Sequence, residues 1–351
     1  MKLNTTIFST LVIFLVAALF ISCEKKSSPT NQELANNNPT DIEYWLTTKD
    51  QMSLFQKIDQ PLLFKEAAKE LPVIEVDTTQ RFQSIDGFGY TLTGGSAYLL
   101  HEKLDASKRN ELLQEIFSTN GTGIGVSYLR ISIGASDLDD HVFSYNDLPS
   151  GQTDTSLAKF SLTEDKKHLI PVLKEIIAIN HQIKIMGSPW SAPPWMKTNN
   201  NTRGGSLKPQ YYQAYAQYFV KYIQGMADEG ITIDAITIQN EPENPNNNPS
   251  MVMTSGEQSE FIKKNLGPAF EKAGIKTKIV IFDHNCDHPN YPIEIMNDPE
   301  AKKYIDGTAF HLYLGEIEAL SEVQKVHPDK NLYFTEQWTS SEGKFDEDLR
   351  W

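Results

Sequence analysis

The stretch Ala-Ile-Thr-Ile-Gln-Asn-Glu-Pro at positions 235–242 decides the fold class of this chain of 351 residues. Its first four residues are apolar or β-branched, which predicts a short buried strand. Asn240, Glu241 and Pro242 end that strand and leave a carboxylate at its C-terminal end. In a parallel α/β barrel, this end of the strands forms the active-site face.

A second strand pattern ends in the same way. Residues 332–336 read Leu-Tyr-Phe-Thr-Glu, so Glu336 also closes an apolar run. Hydrolysis of a glycoside with retention of configuration requires two carboxylates about 5–5.5 Å apart, one as acid/base and one as nucleophile. A lone Glu-Pro after a strand is usually only a turn. The pairing of the two strand ends favours catalytic roles for Glu241 and Glu336.

Strand-like and helix-like patterns alternate along most of the chain, which predicts a parallel sheet covered by helices. A helix predicted over 208–227 carries an aromatic stripe, interpreted as packing against the sheet. We expect an α/β fold of the (β/α)8 TIM-barrel class, with the eighth strand missing from this sequence. The seven predicted strands lie at 87–92, 127–134, 184–190, 235–239, 278–283, 308–313 and 332–336.

The N-terminus has the layout of an export signal. An apolar run at 7–21 follows Met-Lys, is too short for a comfortable membrane span, and is followed by Cys23. The pattern resembles a bacterial lipoprotein signal, with residues 1–22 as the signal peptide and Cys23 as the lipidated residue. The alternatives are a plain secretory signal or an uncleaved anchor. The polar stretch at 23–40 predicts a flexible tether.

The remaining chain is predicted to divide at residue 86. Residues 41–86 form an N-terminal segment, with helical spacing over 41–71 and short strand patterns at 72–77 and 80–89. Residues 87–351 form the barrel. We expect the mature chain to contact a membrane only through its lipid anchor. The expected location is the outer membrane, at its periplasmic or surface face.

Composition excludes some classes of partner. The net charge of −14 argues against nucleic acid or an anionic membrane surface as the partner. The 14 tyrosines and 5 tryptophans suit a protein that stacks sugar rings, although most aromatic residues are core. Cys23 and Cys286 are the only cysteines, so no disulfide framework is expected.

Two segments supply candidate binding residues. Arg130 interrupts an apolar strand pattern, and a buried arginine needs a carboxylate partner. Glu336 is the candidate partner, with a purely structural ion pair as the alternative. The Pro- and Trp-rich loop at 188–197 can present Trp190 to a sugar, with a hydrophobic plug as the alternative.

Further candidates lie near the later strand ends. His311 and Tyr313 alternate along a strand, so both can face the cleft, and Trp338 follows Glu336 by two residues. The run Asp-His-Asn-Cys-Asp-His at 283–288 has neither zinc-type spacing nor the pattern of a calcium loop. It is interpreted as a polar loop lining the cleft. No metal or cofactor is expected.

At these residues the chain resembles glycoside hydrolase family 30, the group that includes acid β-glucosylceramidases and microbial β-1,6-glucanases. The resemblance runs from about residue 72 to the end. The Trp-rich loop together with both glutamate motifs is its specific part, because many barrel glycosidases share Asn-Glu-Pro. The segments that carry it are 83–89, 128–131, 187–199, 239–242, 310–313 and 334–336.

The resemblance implies a (β/α)8 barrel, retention of configuration and β-linked substrates, with Glu241 as acid/base and Glu336 as nucleophile. It also implies a side β-sandwich, to which residues 72–85 would contribute. An acid role requires a raised pKa at Glu241, which a neighbouring negative nucleophile can provide. By matching motif position, the residues that would hold the glycone are Asp137, Trp190, Asn240, His311 and Tyr313.

Sequence reasoning therefore favours a retaining β-glycosidase of glucosylceramidase type, acting on β-glucosides or β-1,6-glucan, in carbohydrate or sphingolipid metabolism. The first alternative is a non-catalytic carbohydrate-binding lipoprotein or an inactive fragment. The second is another barrel glycanase, such as a xylanase. The presence of both glutamates favours the enzyme over the carbohydrate-binding alternative. The aglycone, exo or endo action and the oligomeric state stay open.

Overall fold

The computed structural model describes residues 42–64, 72–338 and 343–348. The expected signal peptide, Cys23 and the tether lie outside these ranges. Within them, no helix combines the length and hydropathy needed to cross a bilayer. Residues 42–44 and 58–64 belong to one compact unit, in which Ile42 and Leu62 form an isolated antiparallel bridge. The other described residues belong to a second unit.

In the second unit, β1 (Trp45–Leu46) and β2 (Gln56–Lys57) form a two-stranded antiparallel sheet. The helix expected over 41–71 is not formed within residues 42–64. Gln51 and Phe55, which lie between the two strands, have φ angles of +59° and +47°. An α-helix excludes these conformations. The expectation of N-terminal strands outside the barrel is confirmed, but the strands lie earlier in the chain than predicted.

The prediction of strands at 72–77 and 80–89 is wrong for residues 72–88. Strand β3 begins at Gly89. Residues 72–88 carry no regular strand, and Ile74 and Phe82 are 91% and 85% exposed. A strand becomes stable only when it pairs and buries one face. No described segment forms a strand pair with residues 72–87, so their apolar alternation is not converted into a sheet; backbone pairing begins at Phe88, whose carbonyl oxygen accepts from the N–H groups of Ser127 and Tyr128.

A seven-stranded parallel sheet forms the framework of the second unit, and its strands adjoin in chain order. All seven predicted strands are present, with their ends shifted by a few residues. Together with the intervening helices, this sheet confirms the predicted TIM-barrel class. The strands are β3 (Gly89–Leu92), β4 (Tyr128–Ser132), β5 (Lys184–Ser188), β6 (Ala235–Thr237), β7 (Lys278–Cys286), β8 (Ile305–Gly315) and β9 (Asn331–Glu336).

Helices connect the strands, and several begin at side-chain caps. Asp105 accepts a hydrogen bond from the backbone N–H of Lys108 at 2.9 Å, and Thr254 and Glu257 form a capping box. The α-helices are α1 (Gly94–Tyr98), α2 (Ala106–Phe117), α3 (Leu169–Ile179), α4 (Tyr212–Asp228), α5 (Ser255–Phe261), α6 (Gly267–Ala273), α7 (Asn290–Met296), α8 (Pro299–Lys302), α9 (Ala319–Val326) and α10 (Phe345–Asp348). There are also π-helical turns at Leu99–Lys103 and Ile262–Leu266, and 3₁₀ turns at Pro194–Met196 and Pro209–Tyr211.

The aromatic stripe of α4 is part of the core, as predicted. Tyr215, Phe219 and Tyr222 are fully buried, and the rings of Tyr215 and Phe219 meet edge to face with centroids 4.9 Å apart. Burying one such ring stabilises the fold by roughly 1.5–3 kcal/mol. Tyr215 and Phe219 also contact Phe261 of α5, with ring centroids 5.6 and 6.4 Å apart, so the stripe packs α4 into the core.

Lys197, in the loop after β5, is a buried residue whose side chain hydrogen-bonds to the surrounding loops. Its side chain has no exposed surface, and its Nζ donates to Ser191 Oγ at 2.9 Å, Thr202 O at 2.9 Å and Ser250 O at 2.6 Å. These acceptors match the three donors of an ammonium group. Burial lowers the pKa of Lys197 to about 7.

We expect Lys197→Met to lower the free energy of unfolding by about 3 kcal/mol, because three buried or partly buried oxygen atoms lose their donor. Denaturant unfolding measures the change, and Lys108→Met, at an exposed lysine, should change it by less than about 0.5 kcal/mol. The folded pKa of Lys197 lies below its usual value of 10.5. Stability of the parent relative to the variant should therefore rise between pH 7 and 10.5. Equal stability of variant and parent would contradict this role.

Candidate active site

Polar side chains from successive strands meet at the C-terminal edge of the sheet, as a barrel active site requires. Asn240 and Glu241 follow β6 directly. The strands themselves contribute Arg130 from β4, Ser188 from β5, Asp283 from β7, His311 and Tyr313 from β8, and Thr335 and Glu336 from β9.

Arg130 lies at the centre of this group and is only 4% exposed. Its Nη1 donates to Glu336 Oε2 at 2.7 Å, which is the predicted pair. Its Nη2 donates to Asp283 Oδ2 at 2.9 Å and to Asn240 Oδ1 at 2.6 Å. Burial alone would lower the pKa of Arg130, but the charges of Asp283 and Glu336 raise it above its usual value. The guanidinium therefore links the ends of four strands.

Asp283 is the second organising charge and is completely buried. Its Oδ2 accepts hydrogen bonds from Ser188 Oγ at 2.7 Å and Thr237 Oγ1 at 2.8 Å. Its Oδ1 accepts from Thr335 Oγ1 at 2.6 Å and lies 3.0 Å from His311 Nε2. Burial alone would raise the pKa of this carboxyl group. The adjacent guanidinium and His311 hold it well below its usual range.

Sequence reasoning placed Asp283 in a polar loop lining the cleft without assigning it a role, and the interpretation of 283–288 as a loop was wrong because β7 continues to Cys286. The signal was present, since the predicted strand 278–283 ends in a carboxylate, as those of Glu241 and Glu336 do. Phe282 and Asp283 have φ angles of +70° and +62°, and the register with β8 shifts here. Such a bulge redirects a side chain beside a site.

Glu241 is held in a specific conformation. Its φ of +47° lies in the left-handed region, which costs a non-glycine residue on the order of 1–3 kcal/mol and persists mainly at functional sites. Its N–H donates to Asp283 O at 2.9 Å. Its Oε2 accepts from Asn244 Nδ2 at 2.7 Å and Asn247 Nδ2 at 3.0 Å, while Oε1 lies 3.2 Å from His311 Nδ1. Sequence reasoning assigned no role to these two asparagines.

The expectation of a raised pKa at Glu241 is wrong. Burial favours the neutral acid, but the hydrogen bond and charge of His311 and the hydrogen bond of Asn244 lower the pKa of Glu241 to about 2. Burial likewise opposes charge on His311, whose hydrogen bonds to Asp283 and Glu241 raise its pKa to about 9. Both ring nitrogens face carboxylates, so His311 holds the proton that the pair shares.

The two predicted catalytic carboxylates face the same imidazole nitrogen. His311 Nδ1 lies 3.2 Å from Glu241 Oε1 and 3.9 Å from Glu336 Oε1, so these two oxygen atoms are at most about 7 Å apart. This limit accommodates the separation of about 5–5.5 Å between the carboxyl groups of retaining glycosidases.

Tyr313 and Trp190 flank the cluster in different ways. The half-exposed Tyr313 donates its hydroxyl to Glu336 Oε1 at 3.0 Å, so each oxygen of Glu336 has its own donor. The Trp190 ring is 4% exposed and its centroid lies 4.8 Å from the Arg130 guanidinium. A buried indole in this position suits a wall that holds the arginine better than an open platform for sugar stacking.

The last two predicted residues lie at the periphery. Asp137 is exposed, and desolvation by its surroundings, together with the charges of Glu336 and Glu241, raises its pKa above the usual value. Trp338 is 69% exposed, and no ring contact or hydrogen bond joins it to the described residues of the cluster. The structure thus brings together every predicted site residue from the barrel except Trp338.

One set of side chains in the cluster has the composition of a metal site. Ligand atoms of Glu241, His284 and His311 lie within 4.8 Å of one another. Both nitrogens of His311 already face carboxylates, and a protonated imidazole has no lone pair for a metal. These residues therefore fit a proton-holding group better than a metal centre.

The arrangement is suited to displacement at a sugar carbon. Glu336 is a carboxylate oriented by two donors, and Glu241 lies opposite it with a proton on the adjacent imidazole. With His311 protonated, Arg130 and His311 face three carboxylates, so the cluster carries one excess negative charge. Such a charge favours an oxocarbenium-like transition state.

Comparison with known proteins also indicates a glycoside hydrolase. The sequence profile described as "Glycosyl hydrolase family 30 TIM-barrel domain" matches residues 85–350. The chain is 37% identical over 288 residues to an endo-1,6-beta-D-glucanase of Trichoderma harzianum, covering 77% of this chain and 58% of that protein. It is 31% identical over 285 residues to the lysosomal acid glucosylceramidase of Mus musculus, covering 77% and 54% respectively.

A solved structure shows the same architecture. The endo-beta1,6-glucanase BT3312 superposes with a TM-score of 0.77 at 36% sequence identity, covering 87% of this chain and 67% of that one. The chain spans little more than half the length of the curated relatives it matches.

Proposed function

Because the chain belongs to glycosyl hydrolase family 30, we propose that it hydrolyses β-linked glucosides with retention of configuration. The observation that carries the proposal is the placement of two strand-end carboxylates around one imidazole nitrogen, 3.2 Å from Glu241 and 3.9 Å from Glu336. A protein that only binds carbohydrate does not need the ion pair of Glu336 with Arg130 beside His311, which holds a proton.

Glu336 acts as the nucleophile in this proposal. Its carboxylate attacks the anomeric carbon and forms a glycosyl ester while the bond to the leaving oxygen breaks. Arg130 and Tyr313 orient the carboxylate through different oxygen atoms. Asn240 accepts from Arg130 through Oδ1, which supports a role in which its amide group donates to the sugar hydroxyl next to the reacting carbon.

Glu241 is the proposed acid/base, and His311 supplies its proton. The proton passes from Nδ1 of His311 to the Glu241 carboxylate, and from there to the leaving oxygen. In the second step Glu241 takes a proton from the attacking water and returns one to His311. Asp283 stabilises the imidazolium through Nε2, so it positions His311 without touching the substrate.

We propose β-1,6-linked glucan as the preferred substrate class. The two glucanases compared above are 37% and 36% identical to this chain, against 31% for the glucosylceramidase. The net charge of −14 also suits a neutral glucan better than an anionic lipid surface. Glucosylceramide-like β-glucosides are the second candidate.

Chromatography of products tests the proposal directly. The chain is incubated with linear β-1,6-glucan, β-1,3-glucan, a β-glucosyl lipid and β-1,4-xylan, and NMR follows the anomer first released. We expect short β-1,6-linked products with the β anomer first. Preferred cleavage of xylan would make the xylanase alternative correct. Release of the α anomer first, or binding of glucan without cleavage, would overturn the proposed reaction.

We also propose that the chain is exported and anchored through lipid on Cys23, on the sequence pattern alone. Cys23→Ser should move the protein from the membrane fraction to the soluble fraction in a bacterial host. Cys286→Ser, at the buried free cysteine, serves as the control and should leave the distribution unchanged. Unchanged partitioning of the Cys23 variant would remove the anchor proposal.

A further inference from the structure

We propose that His101, Glu102 and His168 form a binding site for a divalent transition-metal ion, with Zn²⁺ as the best fit. His101 and Glu102 lie in the π-helical turn after α1, and His168 immediately precedes α3. None of the three belongs to the candidate active site. His101 and Glu102 are adjacent, His168 lies 67 residues after His101, and the ligand atoms of all three lie within 4.8 Å of one another.

The spacing of the three ligand atoms fits a metal ion. The Nδ1 atoms of His101 and His168 are 3.1 Å apart, and each lies 3.6 Å from Glu102 Oε1. An ion equidistant from these three atoms lies about 2.0 Å from each in their plane and slightly farther when it sits just outside the plane, as a tetrahedral ion would; this range includes the bond lengths of Zn²⁺ to imidazole nitrogen and carboxylate oxygen. Ca²⁺ and Mg²⁺ prefer oxygen ligands, which two imidazoles do not supply.

The donor set also fits. Two imidazoles and one carboxylate are typical ligands of Zn²⁺ and leave a fourth position for water. The side chains of His101 and His168 are 29% and 27% exposed, and that of Glu102 is 49% exposed, so an ion can reach the site from solvent. The Nδ1 atoms of the two histidines are hydrogen-bonded to each other, so one donates to the other, and a bound ion would take the place of that shared proton.

The backbone brings adjacent residues onto one ion in an unusual way. In a π-helical turn the wider i→i+5 bonding lets consecutive side chains project at a smaller angle than in an α-helix, which suits His101 and Glu102. Such turns are rare in proteins, but many of those that occur lie at functional sites. The geometry is thus not that of an ordinary solvated helix face.

The surrounding side chains fix the two segments against each other. Arg109 donates from Nη1 to the carbonyl oxygen of His101 at 3.3 Å and from Nε to Glu175 of α3 at 3.0 Å. The ring of Tyr98 meets His168 edge to face at 5.2 Å. The ligands are therefore held before an ion arrives, and a bound ion would tie the segment after β3 to the start of α3.

Calorimetric titration of the untagged full-length chain with Zn²⁺ tests the proposal. We expect one ion per chain, a higher Tm with Zn²⁺ than without it, and no comparable effect of Mg²⁺ or Ca²⁺. Substitution of Co²⁺ should give the visible absorption of a low-coordinate site. His101→Ala and His168→Ala should each weaken binding by about 100-fold. His181→Ala, at an exposed histidine outside the cluster, should leave binding unchanged.

Two results would overturn the proposal. One is the absence of Zn²⁺ binding in the parent chain. The other is binding that persists in both histidine variants, which would place the ion elsewhere, for example at Glu241 and His284. If an alanine variant fails to fold, as judged by circular dichroism, Glu102→Gln keeps the size of a half-exposed side chain. It should still abolish the Zn²⁺-dependent rise in Tm.

Discussion

Glu336→Gln should lower kcat on β-1,6-glucan by about 10⁵-fold or more, because the amide cannot form the glycosyl ester. The substitution keeps the size of the side chain, so Arg130 loses a charge partner but not its packing. The loss should appear equally with poor and activated leaving groups, since the first bond to the anomeric carbon cannot form. Initial rates over a range of glucan concentrations measure it.

A trapped intermediate identifies the same residue independently. After incubation with a 2-deoxy-2-fluoro-β-glucoside, mass spectrometry of the parent chain should find one glycosyl adduct, on the peptide that contains Glu336. Glu316→Gln, at an exposed glutamate near the end of β8, is the matched control and should retain both turnover and labelling. A labelled peptide without Glu336, or near-normal turnover of Glu336→Gln, would refute the nucleophile assignment.

Glu241→Ala should lower turnover of glucan by about 10²–10⁴-fold, because the leaving oxygen no longer receives a proton. An activated aryl β-glucoside, whose leaving group needs no proton, should still form the intermediate. Azide should then restore turnover and yield the β-glycosyl azide, since the alanine leaves space for a small nucleophile. Glu243→Ala, two residues away and exposed, should show no azide dependence.

The pH dependence of turnover gives a further test, because a purely structural role of Glu241 would not change it. His311 holds the shared proton and loses it as the pH rises through about 9. Turnover of glucan by the parent should therefore fall on the alkaline side near that pH. The aryl glucoside reaction of Glu241→Ala should lack that limb. An azide-insensitive variant, or an identical alkaline limb in both proteins, would count against the acid/base assignment.

Much of the framework follows from local pattern. Apolar runs that end in carboxylates located β6 and β9, and a charged residue inside an apolar run identified Arg130 as a buried partner of Glu336. Strand order follows because consecutive parallel strands joined by helices are usually neighbours. These inferences need only burial and chain connectivity.

Three-dimensional placement decided the features that the sequence pattern missed. Asp283 enters the site through a bulge in β7, and the position of a bulge is not visible in an apolar run. The low pKa of Glu241 depends on His311, 70 residues later in the chain, which no local spacing reports. Residues 72–88 failed as strands because alternation predicts a strand only when a partner exists.

The partners of Arg130 reach it at different times during synthesis. Asn240 follows it by 110 residues, Asp283 by 153 and Glu336 by 206. At a ribosomal rate of about 5–20 residues per second, Glu336 emerges roughly 10–40 s after Arg130. A buried arginine without a partner is strongly destabilising, so the nascent sheet needs an earlier anion than the nucleophile. Of the two anionic partners, Asp283 is made first, and it can neutralise Arg130 in a partly finished chain while the proposed nucleophile is still untranslated.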